Sequence, residues 1–232
     1  MQNEEAVSFL HSVFCILHFP EVSMPDITKI HEILRSLYPD ALCSLTWDGD
    51  PWRLLVMGML SAQCTDERVN KVCPALFARF PAVSDMAEAE AAEVADYIRS
   101  CGFWRVKSEN LVASARRIVT VFGGEVPTEM DDLLSLPGVG RKIANLVRGD
   151  AFALPGIVAD THCIRVNGRF GFYPPTLKDP AKVERILDGI VPKAEQSDYC
   201  HRMVLFGREY CDARKPRCGD CPVREQCGWE GK

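Results

Sequence analysis

"TEMDDLLSLPGVGRKIANLV", residues 128–147, is the stretch that decides how this chain folds. Its first nine residues read as helical. Pro137, Gly138 and Gly140 then make a turn, and Ile143, Ala144, Leu146 and Val147 read as the apolar side of a second helix. The unit is therefore helix, hairpin turn, helix. Gly138 and Gly140 let backbone N–H groups point outward at the head of that second helix, which makes an anion site. No strand precedes the glycines, no third glycine follows in place, and the P-loop spacing is absent, so the motif is not a nucleotide fingerprint. Such a hairpin can grip a DNA phosphate without reading sequence. Arg141 suits that phosphate. Lys142 does not suit its own position: a helix start carries free N–H groups and the positive end of the dipole, which disfavour a cation.

The surrounding pattern is helical almost everywhere. Ile30, Ile33, Leu34, Leu37 and Tyr38 follow i, i+3, i+4, i+7, i+8, as do Trp52, Leu55, Val56, Met59 and Leu60, and Val183, Ile186, Leu187, Ile190 and Val191. Leu111, Ala115, Ile118, Val119 and Phe122 give a further face. No run of alternating apolar and polar residues has turn signals at both ends. The spacing predicts an all-α fold with short connections such as "GGEVP" (123–127) and "FYPP" (172–175).

Size and charge set the class. The chain has 232 residues, enough for one large domain or two small ones. Apolar residues make up 47% and charged residues 25%, a globular balance with no run long enough to span a membrane. Net charge is −5, which excludes a polycation, but the halves differ. Residues 1–130 carry 11 Lys and Arg against 18 Asp and Glu; residues 131–232 carry 16 against 14. The C-terminal part is the one suited to a polyanion. The apolar "AVSFLHSVFCILHF" (6–19) follows acidic Glu4 and Glu5 and lacks a small-residue cleavage site, so it makes a poor signal peptide. Residues 1–24 are expected to be an appendage, disordered and loosely tied to the fold.

Eleven cysteines divide into two groups. Cys15, Cys43, Cys64, Cys73, Cys101, Cys163 and Cys200 are scattered, mostly among apolar neighbours, as buried small hydrophobes are. Cys211, Cys218, Cys221 and Cys227 crowd into "CDARKPRCGDCPVREQC" with spacing C-x6-C-x2-C-x5-C. Four thiolates in a short loop can enclose a [4Fe–4S] cluster, one cysteine per iron. A structural zinc site is the rival, but it usually uses two close C-x-x-C pairs and only Cys218 and Cys221 form one. The loop also carries Arg214, Lys215, Arg217 and Arg224, which the metal could hold against phosphate. A third signal is "VADTHCIRVNGRFG" (158–171). Asp160 starts a helix and is placed to cap it by accepting from the N–H of His162 or Cys163. Arg165 and Arg169, four apart, share a face that could meet phosphate. His162 reads first as a structural hydrogen-bonder.

In this order, "LSAQCTD" (60–66), "LPGVGRK" (136–142), "ADTH" (159–162) and the four-cysteine loop resemble the endonuclease III family of helix-hairpin-helix DNA glycosylases, from about Ile27 to Cys227. The resemblance implies a two-lobed all-α fold with a DNA cleft between the lobes. A helical barrel with the hairpin would occupy 44–154, and an iron–sulfur lobe 25–43 with 155–232. It implies Lys142 as nucleophile, Asp160 as assisting carboxylate, and Cys211, Cys218, Cys221 and Cys227 as [4Fe–4S] ligands. Gln63 would fill the space of an extruded base and Phe103 would wedge the neighbouring pairs, although Phe103 and Trp104 also read as core packing. Gly138, Gly140, Arg141, His162 and Arg165 complete the expected DNA contacts. The chain departs from the family's commonest forms at Cys64, where Ala or Thr is frequent, at Trp104 in place of a tyrosine, and in its acidity.

The activity so implied is a bifunctional glycosylase and AP lyase of base excision repair. It would remove oxidised pyrimidines through a Schiff base and cut 3′ to the abasic site by β-elimination. The expected partner is double-stranded DNA with damaged pyrimidines or abasic sites. No membrane association is expected, and the protein is expected to be a cytoplasmic, nucleoid-associated monomer. An adenine-mismatch glycosylase usually lacks the lysine and carries a further C-terminal domain, whereas this sequence runs five residues past Cys227. A thymine–guanine mismatch enzyme is also disfavoured by Lys142. A non-catalytic iron–sulfur protein that binds DNA or senses redox state is disfavoured by the presence of both Lys142 and Asp160.

Overall fold

The computed structural model describes residues 25–231, so the expected appendage at 1–24 lies outside the described residues. Among the described residues there are eleven α-helices, two short 3-10 turns and no strand. The helices are α1 (Ile27–Leu37), α2 (Pro51–Ser61), α3 (Asp66–Arg79), α4 (Val83–Glu88), α5 (Ala91–Ile98), α6 (Trp104–Phe122), α7 (Met130–Leu134), α8 (Arg141–Phe152), α9 (Thr161–Phe170), α10 (Pro180–Ile190) and α11 (Gln196–Glu209). No helix among them is long and apolar enough to cross a membrane. Two compact units form: residues 42–158, and residues 159–231 together with 25–41.

Local chemistry explains where the helices begin. Asp26, Asp50 and Asp179 each accept hydrogen bonds from backbone N–H groups of the following turn. Pro51 and Pro180 stand at the first helical position, where a missing N–H costs nothing. Thr65 caps α3 through its hydroxyl, and Asp160 caps α9.

Within residues 42–158, α2 is the central element. Trp52 and every residue from Leu54 to Leu60 are buried, so the helix is apolar all round and needs neighbours on every side. Helices α3, α6 and α8 pack on it, and α4 and α5 pack on α6. Gly58 sets the closest of these approaches. A Cβ there would meet Ile143 Cγ2 at 3.2 Å and Leu146 Cδ2 at 3.5 Å, so the second helix of the hairpin lies directly on the central helix. On α6, Leu111, Ala115 and Ile118 face inward as their spacing predicts, but Val119 is 37% exposed. The buried face of α6 continues through Ser114 and Val112 instead, leaving Val119 at its edge.

In the other unit, α1 and α9 pack against α11. Ile30, Leu34, Cys163, Val166, Phe170, Tyr199, Met203 and Phe206 form the interior. Buried Asn167 accepts from the Tyr199 hydroxyl and donates to the Cys163 carbonyl at 2.9 Å, so its polar atoms are satisfied. His31 is also buried, with Nε2 3.0 Å from Glu195 Oε2 and 3.3 Å from Arg202 Nη1. Burial lowers its pKa below 6.5 most strongly; Glu195 opposes this, Arg35 and Arg202 add to it, and Asp198 opposes it. The folded state therefore holds fewer protons on His31 than the unfolded chain does, so stability rises with pH through this group. The contribution is present above about pH 6.5, the ordinary histidine value, and is lost as pH falls below it. Thermal melting between pH 8 and pH 5 should fall on the acid side, and His31→Gln should flatten that acid limb; an equal acid slope in the variant would refute the assignment.

Candidate functional site

The hairpin is built on α6. Gly138 has φ +81°, the left-handed region, and a Cβ there would lie 2.7 Å from Asn110 Nδ2. Ser114 Oγ donates to the Pro137 carbonyl at 2.8 Å. Two α6 side chains thus hold the turn from beneath, while Leu136 and Val139 are buried in the core. Helix α8 starts from Gly140, which offers no side-chain cap. The first N–H groups of a helix have no intrahelical partner and carry the positive end of its dipole, which is what an anion site uses. Arg141 and Lys142 are exposed in that first turn. Further along, buried Asn145 donates to the Ile157 carbonyl at 2.9 Å, which ties α8 to the segment that follows it.

Asp160 caps α9. Its Oδ1 accepts from the Cys163 N–H at 2.7 Å, one of the two partners expected of it. Its Oδ2 lies 3.6 Å from His162 Nδ1. The cap fixes the direction of the carboxylate, and the side chain is only 16% exposed.

Arg165 and Arg169 turn inward rather than toward solvent phosphate. Arg165 donates from Nε to the Cys211 carbonyl and from Nη2 to the Gly207 carbonyl, both at 3.1 Å. Arg169, 9% exposed, donates to the Asp212 carbonyl at 2.7 Å, the Ala213 carbonyl at 2.8 Å and Cys211 Sγ at 3.3 Å. Its guanidinium also lies 4.1 Å over the Trp229 ring. A planar donor fork matches several carbonyls at once, which is why arginine serves here. These contacts organise the loop that carries the four cysteines.

That loop, 211–227, buries little apolar surface beyond Val223. Among the described residues no three His, Cys, Asp or Glu side chains are close enough to hold a single metal ion. Yet the thiols of Cys227, Cys211 and Cys218 all act on Cys221, raising its pKa after the larger effect of burial and against the Val223 N–H. Four thiols on one short loop, acting on one another, suit a four-iron cluster with one thiolate per iron. They suit zinc less well. Arg214, Lys215, Arg217 and Arg224 are exposed on the same loop.

Gln63 and Phe103 share an unusual backbone. Both are exposed, Phe103 at 64%, and both have positive φ, +54° and +57°. A left-handed non-glycine residue costs about 1–2 kcal/mol and persists only where its surroundings enforce it; Asp48 and Ala153 are held the same way. Core packing does not account for Phe103. Trp104 is half-buried against the core, with Arg105 4.1 Å over its ring.

Lys107, Asn110, Ser114 and Arg169 escaped the sequence reading as supporting residues. For Lys107 a signal was present: it lies in line with Leu111, Ser114 and Ile118 on the inner face of α6.

Known proteins match this arrangement. Residues 56–193 match the family model described as HhH-GPD superfamily base excision DNA repair protein. Residues 211–227 match the iron–sulfur binding domain of endonuclease III. The chain is 45% identical over 201 residues to endonuclease III of Synechocystis sp., covering 86% of this chain and 90% of that protein. A solved structure of a non-covalent endonuclease III–DNA complex superposes with TM-score 0.81 at 40% identity, covering 87% of this chain and 94% of that one. A trapped endonuclease III–DNA covalent intermediate, the estranged-adenine complex, gives TM-score 0.80 at 40% identity, with 87% and 95% covered.

The hairpin geometry makes a direct prediction. Gly138→Ala would force a side chain into the left-handed region and against Asn110, so thermal unfolding should show a loss of at least about 1–2 kcal/mol. A variant as stable as the parent would show that the turn does not depend on that conformation.

Proposed function

The chain belongs to the endonuclease III family of helix-hairpin-helix base excision repair proteins, and from that premise we infer that it is a DNA glycosylase and AP lyase working through a Schiff base. One observation carries the assignment of its nucleophile. An exposed lysine, Lys142, stands in the first turn of α8 beside Gly140, where the hairpin offers N–H groups to a phosphate. Held by that phosphate, the damaged strand would lie next to an amine.

A base stacked in a duplex is out of reach, so the nucleotide must first be extruded, which costs least for a damaged or mispaired base. We assign Gln63 to the vacated space and Phe103 to the neighbouring stack. The unprotonated Lys142 amine attacks C1′, forming an N–C1′ bond while the glycosidic bond breaks. The bond pair leaves with the base, which takes up a proton. Opening of the sugar ring gives the Schiff base. Loss of a C2′ proton then expels the 3′ phosphate, and water releases Lys142 from the remaining imine. Asp160, oriented by its cap on α9, stabilises the positive charge that develops on the sugar and assists proton transfers. Gly138, Gly140 and Arg141 hold the backbone, and His162 supports Asp160. Arg165 serves by holding the cysteine loop to α9 and α11. The lobes correspond in this reading to 44–154 for the barrel and 25–43 with 155–232 for the iron–sulfur part.

The cofactor is a [4Fe–4S] cluster. We assign Cys211, Cys218, Cys221 and Cys227 as its ligands; when bound, it supplies cross-linking of the loop rather than redox chemistry, since neither step above transfers an electron. The chain's own residues do the rest, setting Arg214, Lys215, Arg217 and Arg224 toward phosphate. We assign oxidised pyrimidines and abasic sites as the substrates, following the endonuclease III family; the Schiff-base step itself accounts for the abasic site. A monomer working on nucleoid DNA in the cytoplasm is the corresponding setting.

Borohydride reduction in the presence of abasic duplex tests the centre of this reading. Lys142→Ala should give no covalent adduct while still binding the duplex; an adduct formed by that variant would assign the nucleophile elsewhere. Asp160→Asn should keep binding and lower turnover on the order of 10²-fold, the usual loss of one electrostatic stabiliser. The purified protein should show visible absorption that fades with loss of iron, and iron analysis should return four irons per chain. A colourless protein carrying zinc would overturn the cluster assignment.

A further inference from the structure

Gln63 and Phe103 lie forty residues apart in sequence, on different connections of the same unit. One buried side chain joins them. Lys107 is 7% exposed, and its ammonium donates to the carbonyls of Leu60 at 2.8 Å and Ala62 at 2.7 Å. Those carbonyls belong to the last turn and the C-cap of α2, where helix acceptors lack partners and the dipole end is negative. Gln63 is the next residue along the chain. At its other end Lys107 closes the first turn of α6: its backbone N–H donates to the Phe103 carbonyl at 3.0 Å. Lys107 is thus bonded to the carbonyl immediately before Gln63 and to the carbonyl of Phe103 itself.

Two further contacts close the same junction. A Cβ at Gly102 would lie 3.3 Å from the Gln63 carbonyl oxygen, so the two connections touch without a side chain between them. The Cys64 thiol acts on the Cys101 thiol, adding to the rise that burial gives the Cys101 pKa, one residue after Gln63 and two before Phe103. A lysine buried in an apolar helix face is an expensive choice for stability alone, because its charge must be desolvated. Here its burial is matched by carbonyls that only a donor could satisfy.

Resting on the assignment of Gln63 and Phe103 to the opened duplex, we propose that Lys107 is a positioning residue that locks these two side chains into one rigid unit. Extrusion of a nucleotide needs a filler for the gap and a wedge for the stack at a fixed separation. Lys107 sets that separation from beneath, without touching DNA. Replacing it by methionine keeps the length, the apolar stem and the backbone bond to Phe103 but removes every side-chain donor. The α2 C-terminus then loses its cap, and the Gln63 turn is free to move relative to Phe103.

The test compares two forms of one substrate. An abasic site in a duplex requires extrusion, whereas the same abasic strand unpaired does not; Lys142 performs the same chemistry on both. Lys107→Met should lower the ratio of duplex to single-strand cleavage rates about tenfold, the scale of a small displacement of a positioning group. Damage to the fold or to the Lys142 region would lower both rates and leave the ratio unchanged. Gly102→Ala disturbs the same junction from an exposed position and should shift the ratio in the same direction. Gln63→Ala and Phe103→Ala, run alongside, separate the two levels of the reading. If both leave the ratio intact, the assignment of those side chains fails and the role of Lys107 falls with it. If they lower it while folded Lys107→Met does not, the assignment stands and the role of Lys107 is overturned. Should Lys107→Met not fold, an unchanged ratio in Gly102→Ala overturns it instead.

Discussion

The contact of α8 with α2 at Gly58 is the constraint on which the proposed chemistry depends. Ile143 and Leu146 can reach the central helix only because no side chain stands at residue 58. Pressed there, α8 has one face committed to the core through Ala144 and Val147, while its first turn carries the exposed Arg141 and Lys142. Lys142 lies one residue before Ile143, so the depth of the Gly58 contact sets the height at which the amine emerges. A larger residue at 58 would lift the whole first turn. Rigid packing underneath is what permits an exposed, long side chain above to act at a defined place.

The same division recurs along α6. Its lower face supplies Asn110 and Ser114 to the hairpin turn and Lys107 to the end of α2, while Leu111, Ala115 and Ile118 anchor the helix itself. One helix therefore holds the hairpin, the Gln63 turn and the Phe103 turn. Each of these three pieces carries a left-handed residue, Gly138, Gln63 or Phe103. Left-handed backbone is stable only where the surroundings leave no alternative. A single straight helix bonded to all three is a physical means of leaving none.

How much of this was legible in the residues depends on the range of each interaction. Helical spacing, the Asp-Pro starts and the Asp160 cap involve neighbours within four positions, so the sequence displays them directly. The hairpin was legible because its glycines and its lysine stand together. Arg165 and Arg169 were legible as a shared face, but not in direction, because their acceptors at 207–213 lie on a different helix and loop. Lys107 shows the harder case. Lysine is ordinarily a surface residue, so its place in line with Leu111 and Ile118 marks it as unusual, but its acceptors at Leu60 and Ala62 are too far along the chain for spacing to name them. Positive φ at Gln63 and Phe103 has no signature in residue type at all, since only glycine and asparagine advertise that conformation.

The cysteine loop poses the opposite problem, one of too little packing. Over residues 211–227 only Cys211 and Val223 are buried, and exposed charges fill much of the rest. Such a segment cannot recover its conformational entropy through apolar burial. Arg169 supplies part of the answer by bonding to Cys211, Asp212 and Ala213, and Arg224 adds a bond to the Cys218 carbonyl at 2.9 Å. Hydrogen bonds of this kind, net of water, contribute about 1 kcal/mol each, too little to order a loop with so little apolar burial. A cross-link through the four thiolates proposed as cluster ligands would remove that entropy at once and leave the loop's surface to its charges. Arg214, Lys215, Arg217 and Arg224 share that surface with Asp212, Asp220 and Glu225, and in the proposed reading the cofactor rather than a core would hold them in place.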